Sequence, residues 1–392
     1  MRLTLLIPEL LWSEPGDTEA NDPASGSALA KILAQRHFVR QPHVGWEASL
    51  LRLAGLRADS SLAVLRAAGE TLPLAARLID AERARHWLCA DPVHLRFHQD
   101  RLILADAHEL ALRSEELAAL TSRLNAAFAG RAEFFFSTAL RGYLRLTEAL
   151  PDTPTAAQPL SRKIGCEVRP GDFGDSAALR GLANEIQMLL HSDPVNEARN
   201  AAGQPTVNAL WLWGSGNAPA TGGGSSIDAI GGDHPLVTGI AKTLGLPLGD
   251  TTEFADATGA ADATGAADPT NAAGVADIVD IADTAHAATT TRTAPKKPRH
   301  TLRLIDTLNT PTHYQNSENY AAAWRALDRA HLDPALAALR SWRLQRLDLV
   351  APVVFGELHW QLSPLNAWTG RFSRRRWRDL GETLASHAPH ES

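Results

Sequence analysis

The sequence predicts an α/β fold, and three observations carry that reading. Short apolar runs ended by Gly, Pro or Asp recur at residues 3–7, 207–213, 301–306 and 347–356. Runs of that length bounded by turn residues read as buried strands. Between them lie Ala- and Leu-rich stretches whose apolar residues fall three and four apart, the spacing of a helix with one face on a core. The 392 residues, 44% hydrophobic and 21% charged, suffice for two domains and a sizeable core.

The chain opens on the strand at residues 3–7, which Pro8 and Glu9 end before a signal-peptide core can form. Glu9 and Glu14 read as a solvated loop. Helices follow at 27–35, 46–53, 62–67 and 74–85, and His37 and His43 in the basic segment between the first two read as surface histidines. Residues 87–97 read as strand, turn and strand. A hairpin turning near Gln99-Asp100 comes next, then a helix with Ser114 as N-cap and Leu117, Leu120 and Leu124 on one face. Two strands, at Phe134–Phe136 and Gly142–Leu146, complete a β-β-α-β-β unit. A Pro- and Thr-containing linker at 148–165 leads to an amphipathic helix at 177–190.

The stretch His191–Gly216, HSDPVNEARNAAGQPTVNALWLWGSG, is the most specific in the chain. Its polar half holds Asp193, Asn196, Arg199 and Asn208; its apolar half leaves through Trp213, Gly214 and Gly216. Glycines there let another backbone or a ligand approach closely. Buried polar groups need partners or a ligand, so the four polar residues are either a binding set or the hydrogen-bonded frame of a domain junction.

Gly222-Gly223-Gly224 reads as a flexible loop rather than a phosphate cradle, because the Lys that a P-loop requires does not follow it at the fixed spacing, and residues 230–245 read as a strand end and a helix. From Ala255 an acidic, Ala- and Thr-rich repeat runs to Thr291. Such a composition lacks a hydrophobic face, so 251–300 is expected to be a disordered insertion. A helix at 316–339 interrupted at Pro334, the strand at 347–356 and a partner strand at 358–362 close the ordered part. The tail at 371–378 is basic with interleaved aromatics. It reads as a solvated helix rather than a nucleic-acid surface, since the net charge is −6. Two cysteines, Cys89 and Cys166, give neither a disulfide framework nor a thiolate zinc site. No run is apolar enough to span a membrane, and a cytoplasmic setting is expected.

The segment Asp193-Pro194-Val195-Asn196-x-x-Arg199, followed by Asn208 and Trp213-Gly214-Ser215-Gly216, resembles the archaeal-type cofactor-independent phosphoglycerate mutases of the alkaline phosphatase superfamily. Asp193 stands where those enzymes have His. The unit at 87–147 is similar to their inserted domain. Within the family the chain is most similar to proteobacterial proteins that carry the double description of putative mutase and regulatory protein.

The resemblance implies an alkaline-phosphatase-like core sheet with helices on both faces and an inserted smaller α/β subdomain. The core would comprise 1–86, 191–250 and 301–392, and the subdomain 87–190. It also implies that Arg96, Arg141 and Arg145 can meet a phosphate, because guanidinium matches phosphate oxygens bidentately. Alternation along a half-exposed sheet would equally turn them to solvent.

The enzymes' Asp-Gly after the first strand is missing, as is their later Asp-His, where Phe355-Gly356 stands. His313 and Asp306 are the best remnants. The resemblance, with these departures, implies a catalytically degenerate protein that binds a phosphorylated small molecule or a protein partner and uses no metal. The alternative is a working mutase dependent on Mn²⁺ or Mg²⁺.

Overall fold

The computed structural model describes residues 1–12, 27–35, 38–42, 44–70, 81–150, 158–174, 176–223, 227–249, 299–314, 316–353 and 356–369. The expectations for Glu14, His37, His43, Gly224, residues 74–80, residues 251–298, Phe355 and the basic tail lie outside the described residues, as does part of the linker.

In chain order the strands are β1 (Arg2–Leu6), β2 (Val39–Gln41), β3 (Trp87–His98), β4 (Arg101–Ala105), β5 (Ala132–Thr138), β6 (Arg141–Leu146), β7 (Ala209–Trp213), β8 (Ala229–Gly231), β9 (His300–Leu304), β10 (Arg346–Val353) and β11 (Gly356–Leu362). The longer helices are α1 (Ala28–Gln35), α2 (Trp46–Ala54), α3 (Leu62–Gly69), α4 (Ala107–Leu110), α5 (Ser114–Ala127), α6 (Ala177–His191), α7 (Pro194–Ala201) and α8 (Pro235–Leu244). They continue with α9 (Asn309–His313), α10 (Ser317–Leu327), α11 (Asp333–Arg340) and α12 (Pro364–Thr369).

The first sheet runs β2-β11-β10-β1-β9-β8. β1 pairs parallel with β9 and β10, and β8 pairs parallel with β9, while β11 and β2 add antiparallel strands at one edge. The strand period of two sorts its side chains between two cores. Leu3, Leu5, Leu347 and Leu349 face α1, α10 and α11, whereas Leu6, Val350, Leu302 and Leu304 face α2, α3 and α8. Helices therefore cover both faces, which is why the central strands read as continuous apolar runs.

The second sheet is antiparallel, β4-β3-β6-β5, with β7 also paired to β3. Trp87, Phe134, Tyr143, Trp211 and the buried faces of α5 and α6 make its core. α3 joins the two bodies: Ala63, Val64 and Ala67 pack into the second core and Leu65 into the first.

Three local expectations are corrected, and one stretch read only as polar gains an element. Residues 87–98 form one strand rather than two, because β3 changes partners along its length. It pairs with β6 at Trp87–Cys89, with β7 across Cys89–Val93 and with β4 from His94. Pro92, which lacks an N–H, sits in that changeover rather than breaking the strand. Ser114 is the first residue of α5 and Arg113 holds the cap position, where the Glu116 carboxylate accepts the Arg113 N–H at 2.9 Å. The polar half of the 191–216 stretch is the helix α7, with Asp193 as its N-cap accepting from Val195 N at 2.8 Å. Finally, β7 belongs to the second sheet, so the chain re-enters the first sheet at β8 and not at residue 191.

Candidate functional site

Most of the 191–216 stretch is satisfied by protein. The Asp193 carboxylate caps α7 and pairs with Arg123 at 2.9 Å. Asn196 Nδ2 donates to the Leu190 and Val207 carbonyls and its Oδ1 accepts the Val207 N–H, so one side chain ties α6, α7 and the entry to β7. Arg199 is buried; it donates to the Pro205 and Leu110 carbonyls and to Glu116. The three bonds explain how so large a cation stays inside the subdomain. Asn208 pairs with both backbone groups of Leu95. These four residues frame the second sheet's helices and do not reach the first sheet.

The end of the stretch reaches α3, which packs on the first sheet through Leu65. Gly214, with φ +74°, accepts bonds at its carbonyl from Ala63 N and Ser61 Oγ at the start of α3. A Cβ on Gly216 would lie 2.7 Å from the Asp59 carbonyl. The close approach is thus made by the 59–63 backbone. Trp213 Nε1 donates to Asp91 at 2.7 Å. Asp91 is buried, takes a bidentate pair from buried Arg66 at 2.7 and 2.9 Å and accepts the Gly142 N–H; Arg66 returns a bond to the Gly142 carbonyl. Tyr143 and Trp213 lie against the guanidinium of Arg66. This node pins α3 to β3, β6 and β7.

Beside it runs a polar seam where the carboxyl ends of β1, β8 and β9 meet the second sheet. Ligands in open α/β sheets sit outside such strand ends. From the first sheet come Glu9, Asp233, His234 and Asp306. Glu9 takes φ 56°, a left-handed conformation costly for a side chain that large, and its N–H is held by the Pro352 carbonyl. Rather than standing in solvent, it buries Oε2 with no hydrogen-bond partner among the described residues, and burial pushes its carboxyl up to about 7. Burial likewise raises Asp306, with the charge of Asp233 adding to it. His234 caps α8, meets Trp46 edge-on at 4.9 Å and is held neutral by desolvation, with Arg66 and Arg141 nearby.

Arg141 comes from the start of β6. Its Nε binds Glu70, which also takes the Tyr143 hydroxyl, and its charge is felt by both His234 and Asp306. Among the described residues no bond is found to its two terminal nitrogens. Further along the seam Ser161 donates to buried Glu47 at 2.6 Å, His313 bonds the Ser161 backbone, and Tyr314 donates to Asp106. Burial pushes Glu47 up to about 7 against the pull of Ser161, Arg162 and Arg66.

The other two basic candidates stand elsewhere. Arg96 is exposed and 3.5 Å from Glu109. Arg145 pairs with Glu133 and lies over Trp87 and Phe135. It is four residues along β6 from Arg141, roughly 13 Å at strand rise. Sequence reasoning missed Arg66, Glu47 and His234. Arg66, a basic residue inside an apolar helix face, was the one with a visible signal.

The Mn²⁺ or Mg²⁺ of the alternative reading finds no gathered ligand set among the described residues. Among the described residues no three His, Cys, Asp or Glu side chains converge so as to hold an ion. A hard cation needs several ionised oxygens directed at one point. Burial moves Glu9, Glu47 and Asp306 toward their protonated forms, which are poor ligands for such an ion.

No family model matches the chain, and no curated protein matches it significantly. Two solved structures align over nearly its whole length. One is the cofactor-independent phosphoglycerate mutase of Thermoplasma acidophilum, at 12% identity over 99% of each chain with a TM-score of 0.40. The other is a Pyrococcus horikoshii protein, at 13% identity over 98% of this chain and 96% of that one with a TM-score of 0.48. The likeness is one of chain path at low identity. No helix of the described residues is long and apolar enough to cross a membrane.

Proposed function

We propose that this chain is a phosphoglycerate-mutase-like binding protein that holds a phosphorylated small molecule at the carboxyl ends of β1, β8 and β9 and serves a regulatory role without metal-dependent turnover. The observation that carries the reading is Arg141. Its Nε is anchored by Glu70, its terminal nitrogens are bonded to nothing found among the described residues, and its charge acts on His234 and Asp306 at the strand ends. An anchored guanidinium is a ready fork for phosphate oxygens. Burial raises both Asp306 and Glu9, and in its protonated form each would add a hydrogen-bond donor that an ionised carboxylate cannot supply.

The test is thermal unfolding with 2- and 3-phosphoglycerate, alongside a mutase assay with Mn²⁺ or Mg²⁺. The expected result is a rise of several degrees at saturating ligand, lost in Arg141→Gln, and no turnover above the control without protein. Arg199→Ala should lower the melting temperature of the apo protein yet keep the ligand-induced rise. Metal-dependent turnover abolished by Asp306→Ala would overturn the proposal, as would a rise that Arg141→Gln leaves intact.

A further inference from the structure

A concavity lies in the subdomain between the β3–β4 hairpin, the turn at 168–173 and one face of α6. Its volume is about 370 Å³, at the small end of the range for ligand pockets. Leu95, Leu102 and Val168 form its floor and Phe173 one wall. Phe173 is braced from behind by Trp211, at 5.1 Å between ring centroids, and Trp211 is itself tied to the Gln158 carbonyl. The wall is therefore pre-formed. Val168 N donates to the Leu102 carbonyl at 2.7 Å, which fixes the turn against the hairpin.

The polar lining has one sign. Arg180, Asn184 and Gln187 recur at helical spacing on α6, and Arg169 faces them from the turn. Among the described residues no acidic side chain lines the space. Of its neighbours, Asp172 is engaged by Lys163 at 2.7 Å, and Glu167 is 3.6 Å from Arg169. Arg180 is held in place by one bond to the Gly174 carbonyl at 2.9 Å, made through a single terminal nitrogen. Phe97, two residues along β3 from Leu95 and opposite Leu102, shares their face of the hairpin, yet 83% of it is exposed. A large aromatic left in water beside an apolar cavity is what a ligand's apolar body would cover.

We propose that this cavity is an effector site for a small organic anion, a carboxylate with an apolar or aromatic body. The body would lie on Leu95, Leu102 and Phe173 under Phe97, and the carboxylate would meet Arg180 and Arg169 with the amides of Asn184 and Gln187. The charge excludes cations. The apolar floor disfavours compact polar anions such as inorganic phosphate, which separates this site from the seam.

Calorimetric titration of the full chain with 4-phenylbutyrate, 4-phenylbutan-1-ol and inorganic phosphate tests it. The carboxylate is expected to bind at least ten-fold tighter than the alcohol, and phosphate not to bind at this site. Arg180→Gln should weaken the carboxylate at least five-fold and leave the alcohol unchanged. Asn184→Trp, at an exposed position on the rim, should fill the space and abolish both, with a circular dichroism spectrum like that of the parent. Arg141→Gln should leave the carboxylate's affinity unchanged, so the outcome is independent of the reading of the seam. Equal affinity for carboxylate and alcohol, no binding to the parent, or binding that survives Asn184→Trp would overturn the proposal.

Discussion

Glu9 shows how much one side chain can cost where it sits. Its folded pKa is raised from 4.5 to about 7 by burial, and Glu47 shares that shift. A carboxyl raised on folding contributes stability that is fully present below its unfolded pKa and lost as pH rises through its folded one. The window is therefore from about pH 4.5 to 7 and above. At about 1.4 kcal/mol per pKa unit, ionising Glu9 in place costs on the order of 3 kcal/mol. Glu9→Gln, which keeps the shape and removes the charge, should thus stabilise the protein by about 1–3 kcal/mol at pH 8 and change little at pH 5. Urea unfolding of both proteins across that range checks it. Two parallel stability curves would mean that the Glu9 carboxylate finds water or a partner when it ionises. Little of this was legible in the sequence. Glu9 after a strand and a Pro reads as loop, because its burial is imposed by α10, whose Tyr320 donates to the Glu9 carbonyl from 311 residues away.

Elements were legible where periodicity is local, and misread where tertiary contacts decide. Strands β1, β9, β10 and β11, the end of β8, the hairpin turn at Gln99-Asp100 and helices α2, α3, α6 and α8 follow from apolar spacing and caps, whereas the exposed β2 carries no such pattern. α7 did not, since its polar face is buried by hydrogen bonds to carbonyls rather than by apolar contact. Nor did the union of α3 with α8, which rests on two glycines. A Cβ at Gly69 would lie 1.8 Å from the Pro235 carbonyl oxygen, and one at Gly239 1.7 Å from that of Leu65. Backbone meets backbone there, so neither helix can yield by turning a side chain. Gly239→Ala gains about 1 kcal/mol of intrinsic helix propensity. It should nevertheless destabilise the chain by about 1–3 kcal/mol, the usual penalty of overpacking, by prising the two helices apart. Chemical denaturation gives the sign directly. A more stable variant would show that the helices slide without loss.

Across the whole molecule, α3 and the loop after β7 are the hinge region on which two sheets with separate cores depend. The Arg66–Asp91 pair, its bonds to Gly142 and Trp213, and the Gly214 carbonyl on Ser61 and Ala63 all cross that line. Breaking one partner of such a buried charged set typically costs about 3–5 kcal/mol, so the set favours joint unfolding over separation of the sheets. Cys89 reports on the choice. It lies on β3 with no exposed surface, its Sγ would be 3.2 Å from a Cβ on Gly214, and burial raises its thiol well above the ordinary value. Cys166 is exposed and serves as the internal standard. With a thiol reagent in native buffer, exposed Cys166 should react without unfolding. Cys89 should be slowed by the full equilibrium constant for global unfolding, as measured independently with urea. Saturating 3-phosphoglycerate should slow Cys89 further and leave Cys166 alone, because a ligand in the seam binds only the closed arrangement. Should Cys89 react orders of magnitude faster than global unfolding allows, the sheets part as separate units and the Arg66 node does not hold the molecule together.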